Sequence, residues 1–184
     1  MAFNKSLAPH IVDALTKEGS APRTLRALNI TMYTINQAQL KQIVEKHKML
    51  MVLNVTVEVE PTEESKRQLL EVLEGLEEVE QIEIVGNPSL KFYEEVSNPQ
   101  RQTLQNAFPN EDDMKALSKK CTKLEVFKAS ILRTKSMGYV EFKKPALAWQ
   151  GGLTMPEESE EKDGGAANKN LESVKNGDDK KAKE

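Results

Sequence analysis

One pattern occurs three times in this chain in the same register. The copies are Leu40-Ile43-His47-Leu50-Leu53-Val55, Leu69-Val72-Leu76-Val79-Ile82-Ile84 and Met114-Leu117-Cys121-Leu124-Phe127-Ala129. Each advances by steps of 3, 4, 3, 3 and 2 residues. Steps of three and four keep side chains on one face of a helix, and a step of two keeps them on one face of a strand. Each copy therefore reads as a helix that turns into a short strand. A unit of that kind cannot bury its apolar edge alone, so repetition implies stacking of unit on unit. The expected fold class is α/β, a short solenoid of strand-helix units with a parallel sheet.

The register makes definite expectations about the sheet. Leu28, Leu53, Ile82 and Phe127 form one ladder of core residues, and Ile30, Val55, Ile84 and Ala129 a second. Residues between them face the other way and build the open surface on which such stacked units bind partners. The candidate partner-binding residues there are Asn29, Thr31, Asn54, Thr56, Glu83 and Lys128. This surface is polar and offers no aromatic anchor, although interfaces draw most of their energy from Trp, Tyr and Arg.

Local signals place the units along the chain. Ser6 to Thr16 reads as an amphipathic helix stopped by Gly19 and Pro22, and Leu25 to Ile30 as the first strand. Met51 to Val59 alternates valine with Thr56, Glu58 and Glu60, the mark of a half-buried strand. Thr62, or else Ser65, is the N-cap of the next helix, with Glu63 and Glu64 at its positive end. Val79 to Val85 follows as a strand ended by Gly86-Asn87-Pro88.

The strand starts, Leu25, Leu50, Val79 and Leu124, are 25, 29 and 45 residues apart. The long third interval marks an insertion between Asn87 and Asn110, with a short helix around Gln100 to Asn106. Phe92 and Tyr93 in it are further partner-binding candidates. Met137 to Phe142 reads as a closing strand, and Pro145 to Trp149 as a final anchor.

The charge balance splits the chain in two. From Leu153 onward there are nine acidic residues against six lysines, and the body before that carries 20 of each sign. The distal segment has few apolar residues with which to offset the entropy of ordering. The expected organisation is a repeat domain over residues 1–150 and a disordered tail over residues 151–184. A neutral body argues against nucleic acid as the partner, which calls for a basic excess on one face. Lys119, Lys120, Lys123, Lys128, Arg133 and Lys135 lie close together, and read as a solvated face.

Leu117 to Leu124, with Cys121 inside it, resembles the helix-to-strand passage of cysteine-containing leucine-rich repeats. Those occur in F-box substrate adaptors of ubiquitin ligases, and ribonuclease-inhibitor-like relatives have similar helices. The resemblance covers Leu25 to Ala129 and implies a protein-binding solenoid, possibly an adaptor-like fragment. The asparagine that follows the strand in that pattern appears once, at Asn87. Residues 1–24 are too few for an F-box-like segment ahead of the repeats.

No catalytic, cofactor-binding or metal-ligating group is expected. His10 and His47 are far apart, and His47 and Cys121 occupy core positions of the repeat, as a structural histidine and a small hydrophobe. No nucleophile elbow, phosphate loop or zinc motif is present. With a single cysteine the chain forms no internal disulfide, which fits a reducing compartment, cytoplasmic or nuclear. No apolar stretch reaches the roughly 20 residues of a membrane helix. The reading is a non-catalytic module that binds another protein. The rival is a compact ferredoxin-like α+β domain binding RNA or a protein partner.

Overall fold

The structure is a computed structural model that describes residues 7–18, 24–88, 106–131, 139–144 and 150–154. Among these the elements alternate: α1 (Ala8–Thr16), β1 (Ala27–Ile35), α2 (Gln37–Lys46), β2 (Val52–Val59), α3 (Glu63–Leu73), β3 (Gln81–Pro88), α4 (Glu111–Ser118), β4 (Val126–Ile131), β5 (Tyr139–Lys143) and β6 (Gln150–Thr154). The strands form one six-stranded sheet in sequence order, β1-β2-β3-β4-β5-β6.

The first four strands are mutually parallel, whereas β5 and β6 pair antiparallel. The sheet is therefore mixed, which corrects the expectation of a parallel one. The cause is the connections. Parallel neighbours need a crossover of a dozen or more residues, which α2, α3 and α4 supply, while the connections after β4 and β5 are too short for a helix. Sequential parallel order also excludes the ferredoxin-like arrangement, in which neighbouring strands are interleaved.

The expected ladders exist residue for residue. Leu28, Leu53, Ile82, Phe127 and Phe142 face one another across five strands, and Ile30, Val55, Ile84, Ala129 and Val140 do the same two residues on. All ten are buried. Right-handed crossovers between sequential parallel strands put every helix on this one side of the sheet. There Leu40, Ile43, Leu69, Leu73, Met114 and Leu117 close the core. Val72, a position of the repeat pattern, is only partly buried, and Leu73 beside it takes the interior place.

The units are also joined in the same way at their rims. The backbone N–H groups of Met51 and Val52 both donate to Arg26 O (2.7 and 3.0 Å). Those of Glu80 and Gln81 both donate to Met51 O (2.8 and 3.0 Å), and those of Glu125 and Val126 to Glu80 O (2.9 and 3.1 Å). One carbonyl of each unit thus receives the chain of the next.

His47 and Cys121, equivalent in the pattern, do equivalent work. His47 Nε2 donates to Leu15 O at 2.8 Å, and Cys121 Sγ to Leu73 O at 3.4 Å. Each satisfies a carbonyl in the last turn of the preceding unit's helix, where intrahelical partners run out. Burial, with a smaller push from Glu74, raises the Cys121 thiol to about 11. A thiol so held is not a nucleophile near neutral pH.

Helix starts follow their sequence signals. Asn36 with Gln39, and Asn110 with Asp113, form reciprocal capping boxes, and the Thr62 hydroxyl accepts from Ser65 N. Strand limits differ more. β1 runs on to Ile35, five residues beyond Ile30, and Gly86-Asn87-Pro88 lies inside β3 instead of ending it. Residues 151–154, assigned to the tail, pair with β5 in β6. Gly151 makes that pairing possible. Its φ is +132°, and a Cβ there would sit 1.9 Å from Glu141 O. Within the insertion, Asn106 and Ala107 are helical, and Ala107 and Phe108 are buried. The rest of the insertion, with Phe92 and Tyr93, lies outside the described residues, as do Pro145–Trp149 and the tail from Met155 onward.

Candidate protein-binding face

Alternation along each strand leaves a second face opposite the helices, and no described helix covers it. Its central row is Asn29, Asn54, Glu83, Lys128 and Glu141, one residue from each of β1 to β5. The residues are neighbours at the inter-strand spacing of roughly 4.8 Å. Four of the predicted binding residues, Asn29, Asn54, Glu83 and Lys128, are thereby brought into one line.

Thr31 and Thr56 do not join that line. Ile30 pairs with Val55, but the next paired residue of β1 is Thr34, opposite Thr56, so residues 31–33 are extra. The Asn29 side chain starts this irregularity, since its Oδ1 accepts from Thr31 N (3.3 Å) and Thr31 Oγ1 (3.0 Å). Asparagine commonly bonds the backbone two residues on in this manner. The displaced Thr31 carbonyl then accepts from Thr56 Oγ1 at 2.8 Å, and Thr56 is fully buried. Asn87 reaches across β2 to donate to Thr34 Oγ1 at 3.1 Å. At this end the face is therefore closed by its own polar cluster, and Thr56 is not available to a partner. Tyr33 packs against the core, while Met32 projects into solvent.

At the other end the face opens into a cleft of about 310 Å³ lined by Glu83, Lys128, Ser130, Tyr139 and Glu141. Tyr139 lies opposite Ser130 and is 47% exposed. It is the aromatic anchor that the sequence seemed to lack. Strand alternation through Tyr139-Val140-Glu141-Phe142 would have placed Tyr139 and Glu141 on this face once Phe142 was paired with Phe127. Glu141 accepts from Lys143 at 3.1 Å and from Lys128 at 3.4 Å. The hydrogen bond from Lys143, with Lys128 adding to it, holds the Glu141 carboxyl below the usual range. Asn54 is half-exposed, yet its Oδ1 is buried and has no hydrogen-bond donor.

The proposed lysine strip is dispersed. Lys123 pairs with Glu78 and Lys128 with Glu141, Lys119 and Lys120 follow α4, and Arg133 and Lys135 lie outside the described residues.

The helix side has a larger groove, about 420 Å³, between α3 and α4. Lys66 lies in its floor, 4% exposed, with Nζ 2.7 Å from Glu63 and 3.1 Å from Asp113. Burial works to lower the Lys66 pKa, but the hydrogen bonds to Glu63 and Asp113 outweigh it and the net shift is upward. Arg67 bonds Glu64 and Glu71, and Lys115 bonds Glu111 and Asp112. The polar groups of this groove serve one another across two helices, which makes it a seam of the fold. No group of three or more His, Cys, Asp or Glu side chains among the described residues is placed to hold a metal. No helix among them is long and apolar enough to cross a membrane. No family model, curated protein or solved structure matches the chain.

Proposed function

We propose that this chain is a non-catalytic protein-binding module of the leucine-rich-repeat type, engaging its partner on the sheet face opposite the helices. The observation that carries the reading is that uncovered face. Sheets built from parallel strands are as a rule covered on both sides. Here the helices cover one side of β1 to β4, and the other presents a line of half-exposed polar side chains ending at Tyr139. A tyrosine in a cleft with charged neighbours has the composition of an interface hot spot. The solenoid reading is supported by the repeated carbonyl acceptors Arg26, Met51 and Glu80, each joining one unit to the next. Its parallel part ends at β4, and the antiparallel pair β5–β6 acts as the cap of an otherwise continuing stack.

The test is site-specific photo-crosslinking in the native cell. A photoreactive amino acid replaces Tyr139 in one variant and Gln68, exposed on the far side of the molecule, in another. The expected result is a discrete protein adduct from position 139 and none from position 68. Equal yields from both positions, or none from 139, would refute the reading. A filter-binding titration at two salt concentrations checks the rival, since tight and strongly salt-dependent RNA binding would replace a protein partner with a nucleic-acid one.

A further inference from the structure

The open face is not chemically uniform, and its middle holds acceptors without donors. Asn54 and Glu83 are opposite each other on β2 and β3. The Asn54 oxygen has already left water and has no donor. The two lysines on this face, Lys128 and Lys143, both turn to Glu141. Among the described residues, no lysine or arginine lies within ion-pair distance of Glu83. A carboxylate and a carbonyl oxygen thus stand side by side on neighbouring strands, with donors lacking on both.

From this we infer that the partner delivers an arginine side chain to the Asn54–Glu83 pair. The inference rests on the open-face reading and names what that face selects. A guanidinium is planar and carries five N–H donors in a fixed fork, so it can serve a carboxylate and an adjacent carbonyl together. Arginine–carboxylate bonds are charge-assisted and gain geometric specificity from the fork. A donor offered to Asn54 Oδ1 forms its bond without displacing water from that oxygen, because the oxygen is already desolvated. A lysine ammonium, a compact point charge, pairs with Glu83 but lacks the planar fork that spans both acceptors. The arginine enters beside Tyr139 and Lys128, so an extended segment crossing the strands would place flanking residues over the tyrosine ring.

The probe is a random dodecapeptide library displayed on phage and selected on the immobilised full chain, with the selected peptides then synthesised for titration. Selected peptides are expected to share an arginine whose replacement by citrulline or by lysine weakens binding about tenfold or more. Glu83→Gln and Asn54→Ala should each weaken binding to a similar degree, and Gln68→Ala should leave it unchanged. The urea midpoint of Glu83→Gln should match that of the parent, which separates lost binding from lost folding. Peptides that lose binding with Tyr139→Ala but carry no arginine, or that ignore Glu83→Gln, refute the arginine inference and leave the open-face reading standing. A selection that yields no binder, or binders indifferent to Tyr139→Ala, Lys128→Ala and Glu83→Gln alike, overturns both.

Discussion

Ile82→Ala is the most direct perturbation of the core. Ile82 is fully buried in the middle of the ladder, between Leu53 and Phe127. The change deletes three carbons, and at about 0.8 kcal/mol for each the lost transfer energy is about 2.4 kcal/mol. A residual cavity of roughly 75 Å³ at about 24 cal/mol per Å³ adds about 1.8 kcal/mol. The expected cost is therefore about 4 kcal/mol, a large share of the 5–15 kcal/mol that is typical of a domain. The paired control is Glu83→Ala, one residue further along the same strand and on the opposite face, which should stay within about 0.5 kcal/mol. Urea unfolding followed by circular dichroism measures both, with the midpoint moving and the slope unchanged. The assignment of faces fails if the two substitutions cost the same, or if Glu83→Ala costs more.

Three other perturbations separate the devices that hold the units together. The Cys121 thiol, shifted from 9.0 to about 11, binds a proton in the folded state that the unfolded chain releases. Its contribution is complete below about pH 9 and is lost as pH rises to about 11, at a slope near 1.4 kcal/mol per unit; Cys121→Ala should remove that slope, and an identical pH dependence in the variant would refute the assignment. Gly151→Ala should unpair β6, seen as faster amide exchange in β5 and β6, because the new Cβ would meet Glu141 O at 1.9 Å. Gly152→Ala meets no atom within 4 Å and pays only for its φ of +151°, so equal exchange in the two variants would contradict this geometry. Lys66→Met keeps the buried stem and leaves Glu63, 67% exposed, and Asp113 to solvent, so it should cost only about 1 kcal/mol, whereas Lys66→Ala should cost more through lost packing; the reverse order in thermal melts would show that charge dominates.

The repeat was legible because its steps encode both periods at once. A residue such as Leu50 is reached from the helix by steps of three and four, and Val55 is reached from Leu53 by a step of two, so one pattern fixed both the element type and the face. The same argument located Asn29, Asn54, Glu83 and Lys128 in a single row. It failed for Thr56, because three extra residues in β1 cannot be read from β1 alone, and they turn the Thr31 carbonyl onto that hydroxyl. It failed again at the end of the sheet. Gln150-Gly151-Gly152-Leu153-Thr154 has the composition of a linker, and only the positive φ of its glycines shows why a strand uses them. The value of Tyr139 was hidden for a related reason, since it depends on β5 running antiparallel to β4. The unserved oxygen of Asn54 belongs to the packing around it and leaves no trace in local sequence.

The paired N–H groups that converge on Arg26, Met51 and Glu80 carry a consequence for how such a chain can change length. They fix the entry of each strand against the previous unit, independently of the path the chain took to arrive. The interval between Glu80 and Glu125 is 45 residues and that between Met51 and Glu80 is 29, yet the hydrogen bonds at their ends are alike. Closing the longer connection costs only about 0.4 kcal/mol more by the logarithmic dependence on loop length. A segment inserted between two units is therefore close to energetically invisible to the stack. Stability is set at the rims and in the ladders, and the connections are left free to acquire new surface without renegotiating the core.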